Sequence, residues 1–177
     1  MSIRLVRFAL LLATSIPIGL RLWISAAAAA EPSGCAAFKW PVERERALLT
    51  AAASAQVASG AELASLLADA ITLALRPGAD AALPTPPERP APPDRFAGFM
   101  RIKQIEKPGL YTIALSAGGW VDALQNGRSL KPADFSGATE CDGLRKLVRY
   151  RLAAGELSLQ ISGVATNTIR LAIVPAD

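Results

Sequence analysis

The sequence predicts a mainly β protein: an antiparallel β-sandwich of jelly-roll-like form, preceded by a short helical N-terminal segment. Three observations carry that prediction. After residue 95, apolar and polar residues alternate with a period of two in several short runs, the pattern of strands that bury one face. The runs are separated by the turn pairs Pro108-Gly109, Gly118-Gly119, Asn126-Gly127 and Ala154-Gly155, the spacing of an all-β domain. Residues 42–58, in contrast, are rich in Ala, Leu, Glu and Arg, which favour helix.

The first thirty residues stand apart. Arg4 and Arg7 precede an apolar run over residues 8–20. Arg21 interrupts it, and Ala28-Ala29-Ala30 offers a small-residue cleavage site before Glu31. This is the pattern of a secretory signal peptide. An uncleaved anchor is the rival, and Arg21 weighs against it, because a membrane span needs about 20 continuous apolar residues. An acylated Cys35 is a further alternative, but Pro32-Ser33-Gly34 lacks the leucine of such signals. The expectation is a signal peptide over residues 1–30 and a periplasmic or secreted protein with no stable membrane span after cleavage. Two cysteines then remain, Cys35 and Cys141. An exported chain with two cysteines points to a disulfide. Closing a loop of about 100 residues contributes up to about 4–5 kcal/mol in the chain-entropy view. A reactive thiol or soft-metal site would have neither a CxxC pair nor a histidine to build on.

The rest divides, in expectation, into a helical lead over residues 31–68 and a β-sandwich domain over residues 69–177. Residues 31–42 read as extended, with Pro41 placed to precede a helix. Glu43 and Glu45 suit the N-terminal end of a helix over residues 42–58. Gly60 interrupts, and residues 61–68 read as a further short helix. Ile71, Leu73 and Leu75 alternate with Thr72, Ala74 and Arg76, a strand ended by Pro77-Gly78; a helix continuing to Leu75 is the rival. Residues 77–94 hold seven prolines, which exclude a helix or a central strand and set an extended connection along the surface.

Strands follow at Met100 and Ile102, and at Tyr111, Ile113 and Leu115. Another spans residues 120–125, closed by the hairpin signal Asn126-Gly127. Residues 129–143 read as irregular. Val148, Tyr150 and Leu152 then mark a strand, as do Leu157, Leu159 and Ile161, and Ile169, Leu171 and Ile173. From Tyr111 onward these apolar positions should form one buried cluster between two sheets.

Charge and composition limit function. The net charge is +4, but residues 1–30 carry Arg4, Arg7 and Arg21 and no acid, so the remainder is nearly balanced. That gives no basis for a nucleic-acid partner. The chain has no histidine, which excludes Ser-His-Asp and Cys-His nucleophile systems, imidazole zinc sites and the two-histidine iron site. No GxSxG, SxxK, phosphate loop or calcium loop is present. No catalytic residue, cofactor or metal is expected.

Two constellations are candidate ligand sites. In an extended strand Trp120 and Asp122 share a face, so the indole can stack on a sugar ring while the carboxylate accepts hydroxyl hydrogen bonds. The alternative is a core tryptophan with Asp122 paired to an arginine. Arg145, Arg149 and Arg151 share a face with Leu147, and guanidinium forks match carboxylate or phosphate. The alternative there is a solvated face paired with Asp122, Glu140 or Asp142. The acids Asp122, Asp134, Glu140, Asp142 and Glu156 are the material for a glycosidase pair, but spacing alone does not join any two.

The stretch Cys35-Ala36-Ala37-Phe38-Lys39-Trp40-Pro41 into Glu43-Arg44-Glu45-Arg46 carries half of a family resemblance. Gly109-Leu110-Tyr111, Trp120-Val121-Asp122 and Cys141-Asp142-Gly143-Leu144-Arg145-Lys146 carry the other half. Together they resemble a group of short exported proteobacterial proteins of uncharacterised function, some of which bear the name homogentisate 1,2-dioxygenase. That name implies an iron enzyme with histidine ligands, and none can be mapped onto a chain without histidine. The Gly109-Leu110-Tyr111, Ala154-Gly155-Glu156-Leu157 and Ile169-Arg170-Leu171 segments are similar to β-sandwich modules appended to secreted hydrolases. The expectation is a non-catalytic periplasmic accessory or binding protein, for a glycan or an envelope protein. The alternatives are a secreted enzyme matching the dioxygenase name and a purely structural envelope protein.

Overall fold

The alternating runs find their partners across the chain, in two sheets packed face to face. The computed structural model describes residues 30–52 and 54–176. The signal peptide expected over residues 1–30 lies, apart from Ala30, outside them. The strands are β1 (Ala55–Val57), β2 (Ala61–Ser65), β3 (Ile71–Ala74), β4 (Arg76–Pro77), β5 (Phe96–Ile105) and β6 (Gly109–Leu115). They continue as β7 (Trp120–Gln125), β8 (Arg128–Ser129), β9 (Asp134–Gly137), β10 (Lys146–Leu152), β11 (Gly155–Val164) and β12 (Thr168–Pro175). The first sheet runs β1-β3-β12-β6-β10-β9. The second runs β2-β5-β11-β7-β8, with β4 beside β5.

The sandwich follows from the period-two pattern, but its sheets are mixed rather than purely antiparallel. β1 lies parallel to β3, and β2 parallel to β5. All twelve apolar residues expected between the sheets belong to one buried cluster, joined by Leu73, Met100, Ile102 and Val121 among others. Asn126 and Gly127 both take positive φ, 52° and 70°, as the tight hairpin between β7 and β8 requires.

The helical lead needs correction. Its helix, α1 (Glu43–Thr50), ends well before residue 58. Residues 55–57 and 61–65 are strands, not helix. Alanine favours helix, but tertiary context overrides so weak a preference, and pairing with the open edges of β3 and β5 decides. Gly60, at φ 90°, turns the chain so that Ala61 pairs with Met100 and Leu63 with Ile102. Ala61 and Leu63 pack against the core, while Glu62 faces out and meets Lys103 at 2.8 Å. The run was a strand pattern of period two, masked by alanine. Another correction concerns residues 129–143, which contain β9, paired antiparallel to β10.

A second apolar cluster lies outside the first sheet. Phe38, Val42 and Leu49 from the lead pack with Ala114, Leu147 and Ala172, whose side chains face away from the sandwich core. The Cys35–Cys141 disulfide closes this layer across 106 residues of sequence. The helix C-terminus abuts the turn after Cys141 so closely that a Cβ on Gly143 would clash with Thr50 Cγ2. The proline-rich connection crosses the other face of the molecule, where Thr85 bonds Gln160 of β11.

Candidate functional site

Strand parity sorts β7 into Val121 and Ala123, which enter the core, and Trp120, Asp122 and Leu124, which face out from the second sheet. Trp120 and Asp122 therefore do share a face, as the sequence implies, and they touch. The indole Nε1 donates to Asp122 Oδ1 at 2.7 Å. Gln160, opposite Asp122 on β11, donates from Nε2 to Asp122 Oδ2 at 3.0 Å. Both carboxylate oxygens are thus engaged, and Asp122 is only 4% exposed. No arginine pairs with it among the described residues. Asp122 holds the indole in place and is not itself open to a ligand.

Trp120 remains half-buried, at the seam where the edges of the two sheets approach each other. Tyr150 of β10 spans that seam by donating its hydroxyl to Val121 O at 2.7 Å. Lys146, at the first position of β10, has the parity of the core residues Val148 and Tyr150, yet it lies where the sandwich opens. Its Nζ donates to Gly119 O at 2.8 Å and sits 5.1 Å from the centre of the Trp120 ring. The Arg89 guanidinium, from the proline-rich connection, lies 5.8 Å from the same ring. Both distances fall within cation–π range. Neither cation forms an ion pair among the described residues. Burial lowers the Lys146 pKa from 10.5, the charges of Arg89 and Arg145 lower it further, and Asp122 opposes them.

Around these side chains runs a seam cavity of roughly 330 Å³, walled by Glu88, Arg89, Trp120, Pro132, Phe135 and Lys146. Two open depressions adjoin it, and Lys146 lines all three. Phe135 pairs in register with Val148 and so turns toward the second sheet, but on an edge strand that this sheet does not cover. It is 61% exposed.

The three arginines do not form one site. Arg145 pairs with Glu31 at 2.7 Å and lines one of the depressions beside Lys146. The Arg149 guanidinium stacks on Trp40 of the lead, 3.9 Å from the ring centre. Arg151 is exposed on the strand beyond it. None of them pairs with Asp122, Glu140 or Asp142 among the described residues. The acids are likewise dispersed: Asp134 meets Lys39 at 2.6 Å, Glu140 accepts from Ser33, and Glu156 is exposed. No three His, Cys, Asp or Glu side chains converge as a metal-ligand set among the described residues. The iron implied by the dioxygenase name therefore has no fitting residues there.

Sequence reasoning missed Lys146, Arg89 and Phe135. For Lys146 a signal existed: a charged residue at a core-parity position of an alternating strand. Arg89 carried none, because a proline-rich segment has no period. No family model, curated protein or solved structure matches the chain.

Proposed function

We propose that this chain is a non-catalytic periplasmic accessory protein whose β-sandwich binds a glycan. The observation that carries the reading is the braced indole. Trp120 is fixed at Nε1 by Asp122, itself fixed by Gln160, with part of its ring open on the seam. A rigid aromatic face loses little entropy when a flat apolar sugar face stacks on it, and the adjoining seam has room for the rest of the ring. Export is supported by the formed Cys35–Cys141 disulfide and by the residue pattern before Glu31. No described helix is long and apolar enough to cross a membrane.

The test is a panel of envelope and extracellular polysaccharides presented to the purified protein and to Trp120→Ala. Recognition of a saccharide that the variant loses, with the variant still folded, supports the reading. Capture of an envelope protein with no saccharide bound would replace it with the protein-partner alternative. N-terminal sequencing of the exported material should begin at Glu31.

A further inference from the structure

We infer that the saccharide is acidic: its ring lies against Trp120, and its carboxylate or phosphate sits between Lys146 and Arg89. This rests on the glycan reading and adds the charge of the ligand to it. The argument begins with an imbalance. Lys146 is partly withdrawn from water, yet no carboxylate pairs with it among the described residues. Beside the Trp120 ring, its ammonium has one hydrogen-bond acceptor among the described residues, Gly119 O at 2.8 Å, although an ammonium has three donor hydrogens. Asp122 is near enough for its charge to favour the ammonium, but it forms no ion pair with Lys146; its oxygens accept instead from Trp120 and Gln160. A partly buried cation without an anion is unfavourable for folding alone.

Arg89 adds a second positive group from the other side of the chain, on the proline-rich connection, and both cations are within 6 Å of the same ring. Arg145 does not compete for this role, since Glu31 already neutralises it. Glu88 also lines the seam, and its charge favours a ligand that places its acid on the Lys146 side. A ring carrying one carboxylate or phosphate satisfies all of this at once. The ring covers the indole, and the acid accepts from the free donors of Lys146 and from the planar fork of Arg89.

Three probes decide it: trigalacturonate, its fully methyl-esterified form and phosphorylated maltotriose. Binding is read at the Trp120 indole N–H resonance, assigned with Trp120→Phe. At low salt the acid or the phosphorylated probe should bind at least about tenfold more tightly than the ester, as charge-assisted hydrogen bonds imply. Which of the two binds identifies the acid group. Lys146→Ala should reduce the acid probe to the affinity of the ester. Arg89→Gln, at an exposed position, should remove part of the same preference. Equal binding of acid and ester, with the indole resonance shifted by both, overturns the acidic ligand and leaves the glycan site standing. No shift with any of the three overturns the glycan site as well.

Discussion

The two sheets are covered on their outer faces by different means. Over the first sheet the lead buries Phe38, Val42 and Leu49 against Ala114, Leu147 and Ala172, and a disulfide holds it there. Over the second sheet the proline-rich connection touches Gln160 through Thr85 with hydrogen bonds of 3.2 to 3.4 Å. The first cover is apolar and covalent, as a layer serving stability should be. The second is polar and light, and it leaves Trp120 half-open beside Lys146 and Arg89, which form no ion pair among the described residues. The contrast separates the part of the molecule that holds the fold from the part proposed to meet a ligand.

The largest expected effects belong to the first cover. Replacing both Cys35 and Cys141 by Ser should lower stability by up to about 4–5 kcal/mol in urea unfolding. Hydrogen exchange should then show α1 opening while β5 and β11 stay protected. Leu49→Ala should cost about 2–5 kcal/mol, since Leu49 is almost wholly buried between α1 and the first sheet. On the other side, Thr85→Ala should cost only about 1 kcal/mol, the worth of an ordinary hydrogen bond. If Thr85→Ala proved as damaging as Leu49→Ala, the two covers would not differ in the way proposed.

The core was legible in the sequence because period-two alternation needs no knowledge of partners: Leu159 and Ile161 face inward whichever strand lies beside them. The mixed topology was not, because β1 and β2 are set by open edges that only the assembled sheets present. The second apolar cluster left one trace, Leu147 among three arginines, which reads as a flaw in a polar face until α1 is placed over it. At the site, the shared face of Trp120 and Asp122 was readable. The occupation of Asp122 by Gln160 was not, because it depends on the register of β11 against β7.

An intermediate effect is expected at Asp122. Asp122→Ala leaves the half-buried Trp120 Nε1 without its acceptor and Gln160 Nε2 with Thr85 O alone, which should cost about 1–3 kcal/mol. It should also free the indole. Time-resolved anisotropy of Trp120 should show faster local motion, and saccharide affinity should fall with it. Loss of stability with unchanged anisotropy would mean that Asp122 supports the sheet and not the ring.

The smallest effect, and the one of opposite sign, is expected at Lys146. Its lowered pKa means that between the lowered value and 10.5 the unfolded chain binds more protons than the folded one. Stability therefore rises with pH across that window, and the charged form below it is a burden on the fold. Lys146→Met keeps the long apolar stem and removes the charge. At pH 7 its melting temperature should equal or exceed that of the parent. The parent should then gain on the variant as pH rises toward 10, while Tyr150, whose pKa burial raises, acts in the opposite direction on both proteins and cancels from the comparison. A clear loss of stability at pH 7 in Lys146→Met would show that the fold itself already supplies the ammonium with its partner, and the case for an anion at the seam would go with it.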